Sequence, residues 1–324
     1  MSESEERARV AAAPAAPAAP LAARGRWRYE ACIKDRDLEE LVDLHWHRRL
    51  AFWLILKPIE RGLSFIRPLH LTVLAIVVGL IGGYACSQIP THGPLLGVWA
   101  GLLTLMHVVL DCSDGMLARV RGGGSFLGML LDGISDAIVG FAVWLGCALA
   151  MVAEIDAWWG WPAAVAILLS ILLHVALYDG YKGRFEKGVR PEVDLAAPAS
   201  AEEQARQTAL ERFLERLIGG IYRSTYVALN AKVGGEEAPA VDPARFRRAF
   251  AAPMRLITWI GLGTNLALMY LSMMLVPLWP LAPIWIGLVL IVGLGNALTV
   301  WAILAWKRAE RELRQGEPAP SAAE

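Results

Sequence analysis

The sequence predicts an all-α integral membrane protein with six transmembrane helices and an N-terminal amphipathic interfacial helix. Hydrophobic residues make up 56% of its 324 residues, mean hydropathy is +0.44, and 19% of residues are charged. The chain contains six apolar runs, and a run of about 18 or more apolar residues is long enough to cross a bilayer. No Lys or Arg occurs in residues 68–118, 122–181 or 256–306. Although the formal net charge is zero, Lys and Arg are therefore distributed very unevenly along the chain.

Two segments precede the first apolar run. Residues 1–26 are rich in Ala and Pro, lack the apolar core of a signal peptide, and are expected to form a disordered tail. Residues 27–67 mix charged and aromatic side chains and form the predicted amphipathic juxtamembrane segment. Cations and aromatic residues at helical spacing are typical of a helix at the headgroup level, although an ordinary solvated helix is the alternative. The stripe consists of Leu38, Leu41, Val42, His45, Trp46 and Arg49.

The apolar runs predict six spans and divide the rest of the chain. The spans are Leu71–Ser87, Leu95–Leu110, Met129–Ala153, Pro162–Tyr178, Met254–Val276 and Ile284–Trp306. The resulting divisions are transmembrane helices one to four at 68–180, a cytoplasmic helical link at 181–252, helices five and six at 253–306, and a cytoplasmic tail at 307–324. Within the link, a single helix is expected at about Ala201–Asn230.

The distribution of Lys and Arg predicts one orientation. The short links after the first, third and fifth spans contain neither residue, whereas the other links and both ends of the chain do. Loops rich in Lys and Arg stay on the cytoplasmic side of a membrane. We therefore expect a multi-pass protein of the inner, cytoplasmic membrane, with both termini and the ends of spans two and three facing the cytoplasm.

Four carboxylates lie at those ends, in the segment DCSDGMLARVRGGGSFLGMLLDGISD. They are three and four residues apart within each pair, so each pair lies on one face of its helix. Ionisable groups at membrane depth are costly and usually face a cavity, a partner or a metal. Salt bridges to Arg119 and Arg121 would leave two acids unpaired. Hard oxygen ligands favour Mg²⁺ or Mn²⁺, and two ions bridged by shared carboxylates are expected. The acids are Asp111, Asp114, Asp132 and Asp136.

Other polar residues in the apolar runs carry weaker signals. The scattered cysteines have no CxxC spacing and are expected to pack as small hydrophobic groups rather than bind zinc or form disulfides. The lone histidines His107 and His174 are expected to be satisfied by hydrogen bonds within the bundle. Asn265 and Asn296 either line a cavity or bond a neighbouring helix. The cysteines are Cys32, Cys86, Cys112 and Cys147.

Three cations near the ends of spans four and five are candidates to bind an acceptor. Lys182 and Arg184 follow the fourth span, and Arg255 lies at the start of the fifth. Their guanidinium and ammonium groups suit a phosphate. Basic residues are also common at such positions as membrane anchors, so both interpretations stay open.

The spacing of the acids with their neighbours resembles the signature of the CDP-alcohol phosphotransferase (phosphatidyltransferase) family. The pattern D-x2-D-G-x2-A-R-x8-G-x3-D-x3-D, from Asp111 to Asp136, is present at every fixed position. The resemblance implies transfer of a substituted phosphate from CDP-diacylglycerol or a CDP-alcohol to an alcohol, with release of CMP, in phospholipid biosynthesis. It also implies Mg²⁺ or Mn²⁺, membrane lipids as surroundings, a homodimer, and no nucleic acid as partner.

Carried over by position, the resemblance also implies roles for single residues. All four aspartates are metal ligands, and Asp136 is also the general base for the acceptor hydroxyl. The residues around the cytidine diphosphate are Asp114, Gly115, Ala118, Arg119 and Gly128.

One position departs from the family pattern. Members often begin the first span with Pro-Asn-x-(Ile/Leu)-Thr, and here Leu69 stands in place of the asparagine between Pro68 and Thr72. The juxtamembrane segment and the basic residues near spans four and five are loosely similar to branches that use inositol phosphate or a CDP-inositol donor. Acceptors such as glycerol phosphate or serine, and soluble choline-type or ethanolamine-type donors, remain open.

The alternative functions belong to other classes. A cation- or proton-coupled transporter would use the intramembrane carboxylates as a relay, but relays spread acids across the depth of the membrane and here they cluster at one end. A structural scaffold would not need four such carboxylates.

Overall fold

The computed structural model describes residues 27–122, 126–155, 158–190 and 241–315. Within these ranges the regular secondary structure is entirely helical. Six of the described helical segments are long and apolar enough to cross a membrane, which confirms the predicted fold class of a multi-pass α-helical membrane protein. The expected tail at 1–26 and the expected link helix at about Ala201–Asn230 lie outside the described residues.

Eight helices organise the described chain. Helix α1 consists of four contiguous stretches, Asp43–His47, Arg48–Leu50, Ala51–Leu56 and Lys57–Gly62. The next four are α2 (Pro68–Ser87), α3 (Leu95–Val120), α4 (Phe126–Ile155) and α5 (Gly160–Val189). The last three are α6 (Pro243–Ile257), α7 (Leu262–Met274) and α8 (Ala282–Gln315), and Gly287–Gly295 of α8 is π-helical. Single-turn helices at Tyr29–Cys32 and Ile89–His92 precede α1 and α3.

Several helices extend beyond the apolar runs that predicted them. The second predicted span ends at Leu110, but α3 continues to Val120. The fourth ends at Tyr178, but α5 continues to Val189. Hydropathy marks the thickness of the membrane, whereas a helix continues for as long as its backbone hydrogen bonds do. Both acidic pairs and Lys182 therefore lie on regular helix, which holds their side chains in defined directions.

The fifth predicted span is interrupted. It consists of α6 and α7, with a short break at residues 258–261, where Gly261 is extended with φ −69° and ψ 175°. The carboxylate of Glu40 lies against this break, and a Cβ at Gly261 would collide with it. Glu40 accepts hydrogen bonds from the free N–H groups at the start of α7. A carboxylate from a distant part of the chain thus caps a helix that begins inside the apolar region.

Glycines bring α2, α3 and α4 into close contact. A Cβ at Gly83 of α2 would lie 2.7 Å from the carbonyl oxygen of Ala142 in α4, and one at Gly146 would overlap the carbonyl of Gly83. At Gly79, an added Cβ would lie 3.0 Å from the ring of His107 in α3. Small residues let membrane helices approach closely. Helix α2 consequently packs against both helices that carry the aspartates.

Helix α1 and the segment before it pack over the same end of the bundle. Leu38 is buried among aromatic side chains of α5, α6 and α8, and its carbonyl accepts a hydrogen bond of 2.8 Å from the Tyr178 hydroxyl. On the opposite face of α1, Trp46 and Trp53 are exposed together with Arg49. That this face lies at a membrane surface stays a prediction.

Candidate active site

The end of α3 and the start of α4 bring three of the predicted metal ligands together. One carboxylate oxygen from each of Asp111, Asp114 and Asp132 lies within 4.8 Å of the others. Asp136 lies one helical turn beyond Asp132 and interacts electrostatically with both Asp111 and Asp132. The spacing in the sequence therefore corresponds to a real convergence of acids from two helices.

The arginines that were candidates to neutralise these acids bind elsewhere. Arg119 Nε donates to the carbonyl of Cys32 at 2.7 Å, and Arg121 donates to the carbonyls of Ser64 and Ile66. Asp111 Oδ1 is buried and has no hydrogen-bond partner among the described residues. A buried carboxylate oxygen without a partner is costly. The group of acids therefore fits a hard divalent cation better than a network of salt bridges.

Thr72 orients one of the carboxylates. Its hydroxyl donates to Asp114 Oδ2, and both side chains are buried. Hydrogen bonds of this kind fix the direction of a metal-binding carboxylate. Leu69, which replaces the asparagine of the family pattern, is 48% exposed and lies on α2. Thr72 contacts Asp114 directly, so the replacement of asparagine by Leu69 leaves this contact intact.

Arg119 lies beside the acids and over Gly115. A Cβ at Gly115 would lie 3.6 Å from Arg119 Nη1, which is ordinary van der Waals contact. Arg119 Nη2 is buried and has no hydrogen-bond partner among the described residues. The Cys32 carbonyl thus holds one edge of the guanidinium and leaves an N–H donor unused. Of the other residues expected near a nucleotide, Ala118 is partly buried and Gly128, on α4, is exposed.

The family model for CDP-alcohol phosphatidyltransferase matches residues 65–187, a range that contains Thr72, Arg119 and all four aspartates. Over this range the chain is similar to the CDP-alcohol phosphatidyltransferase family. Metal dependence is typical of that family, and the acidic group of Asp111, Asp114 and Asp132 could bind a metal.

Three proteins to which this chain is similar carry the name phosphatidylinositol phosphate synthase. The protein from Corynebacterium glutamicum is 33% identical over 92 residues, which is 28% of this chain and 41% of the relative. The protein from Mycobacterium tuberculosis H37Rv is 36% identical over 101 residues, or 30% and 44% of the two chains. That from Mycobacteroides abscessus is 29% identical over 77 residues, or 23% and 31%. This chain therefore spans less than half the length of these relatives. No solved structure matches it.

The structure separates the three cations that were candidates for acceptor binding, Lys182, Arg184 and Arg255. Lys182 lies over the ring of Tyr178 at 5.2 Å and interacts electrostatically with Asp132. Arg184 is bound to Glu310 at 2.7 Å, and Arg255 lies 3.3 Å from Asp37. Of the three, Lys182 is the one with a described interaction with the acidic group.

Hydrogen bonds within the bundle account for the other intramembrane polar residues. His107 Nδ1 contacts the carbonyl of Ala75 at 3.0 Å. His174 contacts Asn265 at 3.5 Å and Asn296 at 3.0 Å, so these residues join α5, α7 and α8. This favours the interhelical interpretation of both asparagines. The cysteines are buried free thiols, as expected, and Cys86 and Cys147 lie 3.6 Å apart.

No sequence pattern indicates the long-range contacts around the acids. Thr72 stands out in the sequence only as the last residue of the segment that resembles Pro-Asn-x-(Ile/Leu)-Thr, and its distance along the chain from Asp114 carries no signal. The Cys32 carbonyl is a main-chain group, which no residue pattern marks. Glu39, Glu40 and Arg48 stood out only as charges in an amphipathic segment, although Glu39 and Glu40 are buried.

Proposed function

We propose that this chain transfers a phosphatidyl group, or another substituted phosphate, from a CDP-linked donor to an alcohol and releases CMP. The observation that supports the proposal is the acidic group of Asp111, Asp114 and Asp132, which lie on α3 and α4 at the spacing of the family signature. Since this chain spans less than half of its curated relatives, their activity is carried over as a proposal for the whole protein.

Asp111, Asp114, Asp132 and Asp136 hold the metal in this proposal, as two Mg²⁺ or Mn²⁺ ions. When bound, such ions offset negative charge on the diphosphate and on the oxygens that attack and leave. Thr72 keeps the Asp114 carboxylate in position. The unused N–H of Arg119 donates to a phosphate oxygen of the donor. The small residues Gly115, Ala118 and Gly128 leave room for the nucleotide.

Asp136 acts as the general base. Its carboxylate accepts the proton of the acceptor hydroxyl as that oxygen attacks the phosphorus that carries the diacylglycerol. A bond forms between the acceptor oxygen and this phosphorus, and the bond from phosphorus to the CMP oxygen breaks. The products are CMP and a phospholipid that contains the acceptor.

The acceptor is proposed to be of the inositol phosphate type. Support comes from the name shared by the relatives, phosphatidylinositol phosphate synthase, and from Lys182, whose charge acts on Asp132. Arg184 and Arg255 remain proposed acceptor ligands. Each would have to exchange its present carboxylate partner, Glu310 or Asp37, for the acceptor.

We also propose that both termini and the acidic group face the cytoplasm and that the protein forms a homodimer. The orientation follows from the distribution of Lys and Arg. The dimer is carried over from the family alone. No finding supports the alternative of a cation- or proton-coupled transporter.

The decisive experiment is a CMP-release assay with purified protein and Mg²⁺ or Mn²⁺. It pairs CDP-diacylglycerol and soluble CDP-alcohols with inositol phosphate, inositol, glycerol phosphate and serine. Release that needs both CDP-diacylglycerol and inositol phosphate is expected. Flux of a cation through proteoliposomes without nucleotide, and no CMP from any pair, would support the transporter instead.

A further inference from the structure

Arg48 is a buried cation at the site that the proposed mechanism does not yet use. It lies on α1, which packs against α3, and its side chain is 14% exposed. Arg48 Nη2 pairs with Glu39 Oε2 at 2.5 Å. Its Nε is buried and has no hydrogen-bond partner among the described residues. The charge of Asp43 also acts on the guanidinium, but the Nε–H donor has no acceptor among the described residues.

The surroundings of Arg48 place it at the acidic group. Its charge acts on Asp132 and on Arg119, and the charge of Lys182 also acts on Asp132. Cations from α1, α3 and α5, namely Arg48, Arg119 and Lys182, thus all act on Asp132. Arg48 and Arg119 repel each other, and each has a buried N–H donor without a partner. Such an arrangement is unfavourable in the free protein and is relieved by an anion that accepts from these donors.

Glu39 is an incomplete partner for Arg48. Its other oxygen accepts a long hydrogen bond of 3.3 Å from the main-chain N–H of Lys34, and Lys34 itself pairs with Glu186 of α5. Glu39 is therefore held by its own segment and meets only one nitrogen of the guanidinium. A tetrahedral phosphate offers several oxygens and can satisfy Nε as well.

We propose that Arg48 binds the phosphate of a phosphorylated alcohol acceptor, and that it does so together with Lys182. This rests on the proposed function. The acceptor is favoured over the donor because Arg48 and Lys182 lie on α1 and α5, whereas every residue of the donor-binding pattern lies on α3 or α4. Selectivity for a phosphorylated acceptor would thus depend on α1, outside the family signature.

The test compares Arg48→Gln with Arg48→Lys, Glu39→Gln and the control Arg49→Gln, whose exposed side chain is next to Arg48 on α1. The assay measures CMP release in proteoliposomes with CDP-diacylglycerol and inositol phosphate. Arg48→Gln is expected to raise the KM for inositol phosphate by about tenfold or more, because a neutral amide cannot replace the charge-assisted hydrogen bonds from a guanidinium to a phosphate. In Arg48→Gln the KM for CDP-diacylglycerol should change less than about twofold. The rise in the KM for inositol phosphate should be smaller in Arg48→Lys and absent in Glu39→Gln.

A purely structural role for Arg48 gives a different pattern. Glu39→Gln would then match Arg48→Gln, because both break the same ion pair, or both KM values would rise together. Either result overturns the inference, as does an unchanged KM for inositol phosphate in Arg48→Gln.

A second measurement separates this inference from the proposed function. Inorganic phosphate should raise the Tm of the wild-type protein and of Arg49→Gln, but not that of Arg48→Gln. If the wild-type protein releases no CMP with any acceptor, the proposed function fails, and the phosphate-dependent Tm still decides whether Arg48 binds phosphate. Equal shifts in all three proteins would refute binding at Arg48.

Discussion

Glu40 Oε2 accepts two hydrogen bonds from Thr264, one from its main-chain N–H at 2.9 Å and one from its hydroxyl at 3.1 Å. The segment before α1 therefore caps a helix that begins inside the apolar region. Burial, and then the nearby carboxylate of Asp43, raise the pKa of Glu40 to about 8 from its usual 4.5.

The first prediction concerns stability and pH. A proton on Glu40 is held more tightly in the folded protein than in the unfolded chain. The stability that this proton contributes is complete below about pH 4.5 and is lost as pH rises through about 8. Between these limits it falls by up to about 1.4 kcal/mol per pH unit. Thermal unfolding should show this fall in the wild-type protein and a smaller one in Glu40→Gln.

The control for that experiment is Glu30→Gln, which changes an exposed acid in the same N-terminal region. It should follow the wild-type pH dependence. If Glu40→Gln does so too, Glu40 is not the titrating group.

The second prediction concerns catalysis. Asp136→Asn removes the proposed base. Asp111→Asn removes a proposed metal ligand, whose Oδ1 is buried without a hydrogen-bond partner among the described residues. Each should lower the rate of CMP release by about a hundredfold or more, the usual range for loss of a general base or a metal ligand. Glu312→Gln, which changes a 64% exposed side chain on α8, should retain full activity. Wild-type turnover in either aspartate variant would contradict the assigned roles.

The third prediction concerns metal. Removal of divalent cations by a chelator should abolish CMP release, and Mg²⁺ or Mn²⁺ should restore it. A cation that binds only the folded protein raises its Tm in proportion to the logarithm of its concentration. The wild-type protein should show this shift and Asp111→Asn should not. An equal shift in both would place the cation away from the acidic group.

The fourth prediction concerns Thr72. Thr72→Val keeps the shape of the side chain but removes the hydroxyl that donates to Asp114. Loss of such a supporting hydrogen bond usually costs about 10–100-fold in metal affinity or activity. The metal concentration needed for half-maximal CMP release should rise in Thr72→Val, and Thr72→Ser should restore it. No rise in Thr72→Val would mean that Asp114 is oriented by other groups.

The fifth prediction concerns the contact between α2 and α4. A Cβ at Gly146 would overlap the main-chain carbonyl of Gly83, which cannot move without its helix. Gly146→Ala should therefore destabilise the protein by about 1–3 kcal/mol, the usual cost of overpacking. Gly140→Ala on the same helix is the matched control, because its new Cβ would lie 3.9 Å from the nearest atom. Similar Tm values for both variants would argue against this close approach.

The membrane helices and the acidic motif could be predicted because their signals are local. Each apolar run predicts one span directly. The acidic motif from Asp111 to Asp136 lies on two helices that follow each other in the sequence. The spans were underestimated in length because α3 and α5 continue past their apolar parts. Hydropathy contains no information about where such a helix stops.

The break in the fifth span and the groups around Arg119 could not be predicted in the same way. The break depends on Glu40, which is 223 positions before Gly263. The orientation of Arg119 depends on the carbonyl of Cys32, 87 positions earlier. Contacts of this kind arise from tertiary packing, and a residue pattern read along the chain does not contain them.

The cap on α7 also has a consequence for biosynthesis. Glu40 leaves the ribosome long before Gly263 and Thr264 exist, so during synthesis its carboxylate has neither of these partners. Helix α7 in turn begins without satisfied N–H groups until the N-terminal segment has folded over the bundle. The order of translation therefore delays this contact until the start of α7 has been synthesised. A nascent chain that stops before α7 leaves Glu40 without its cap contacts.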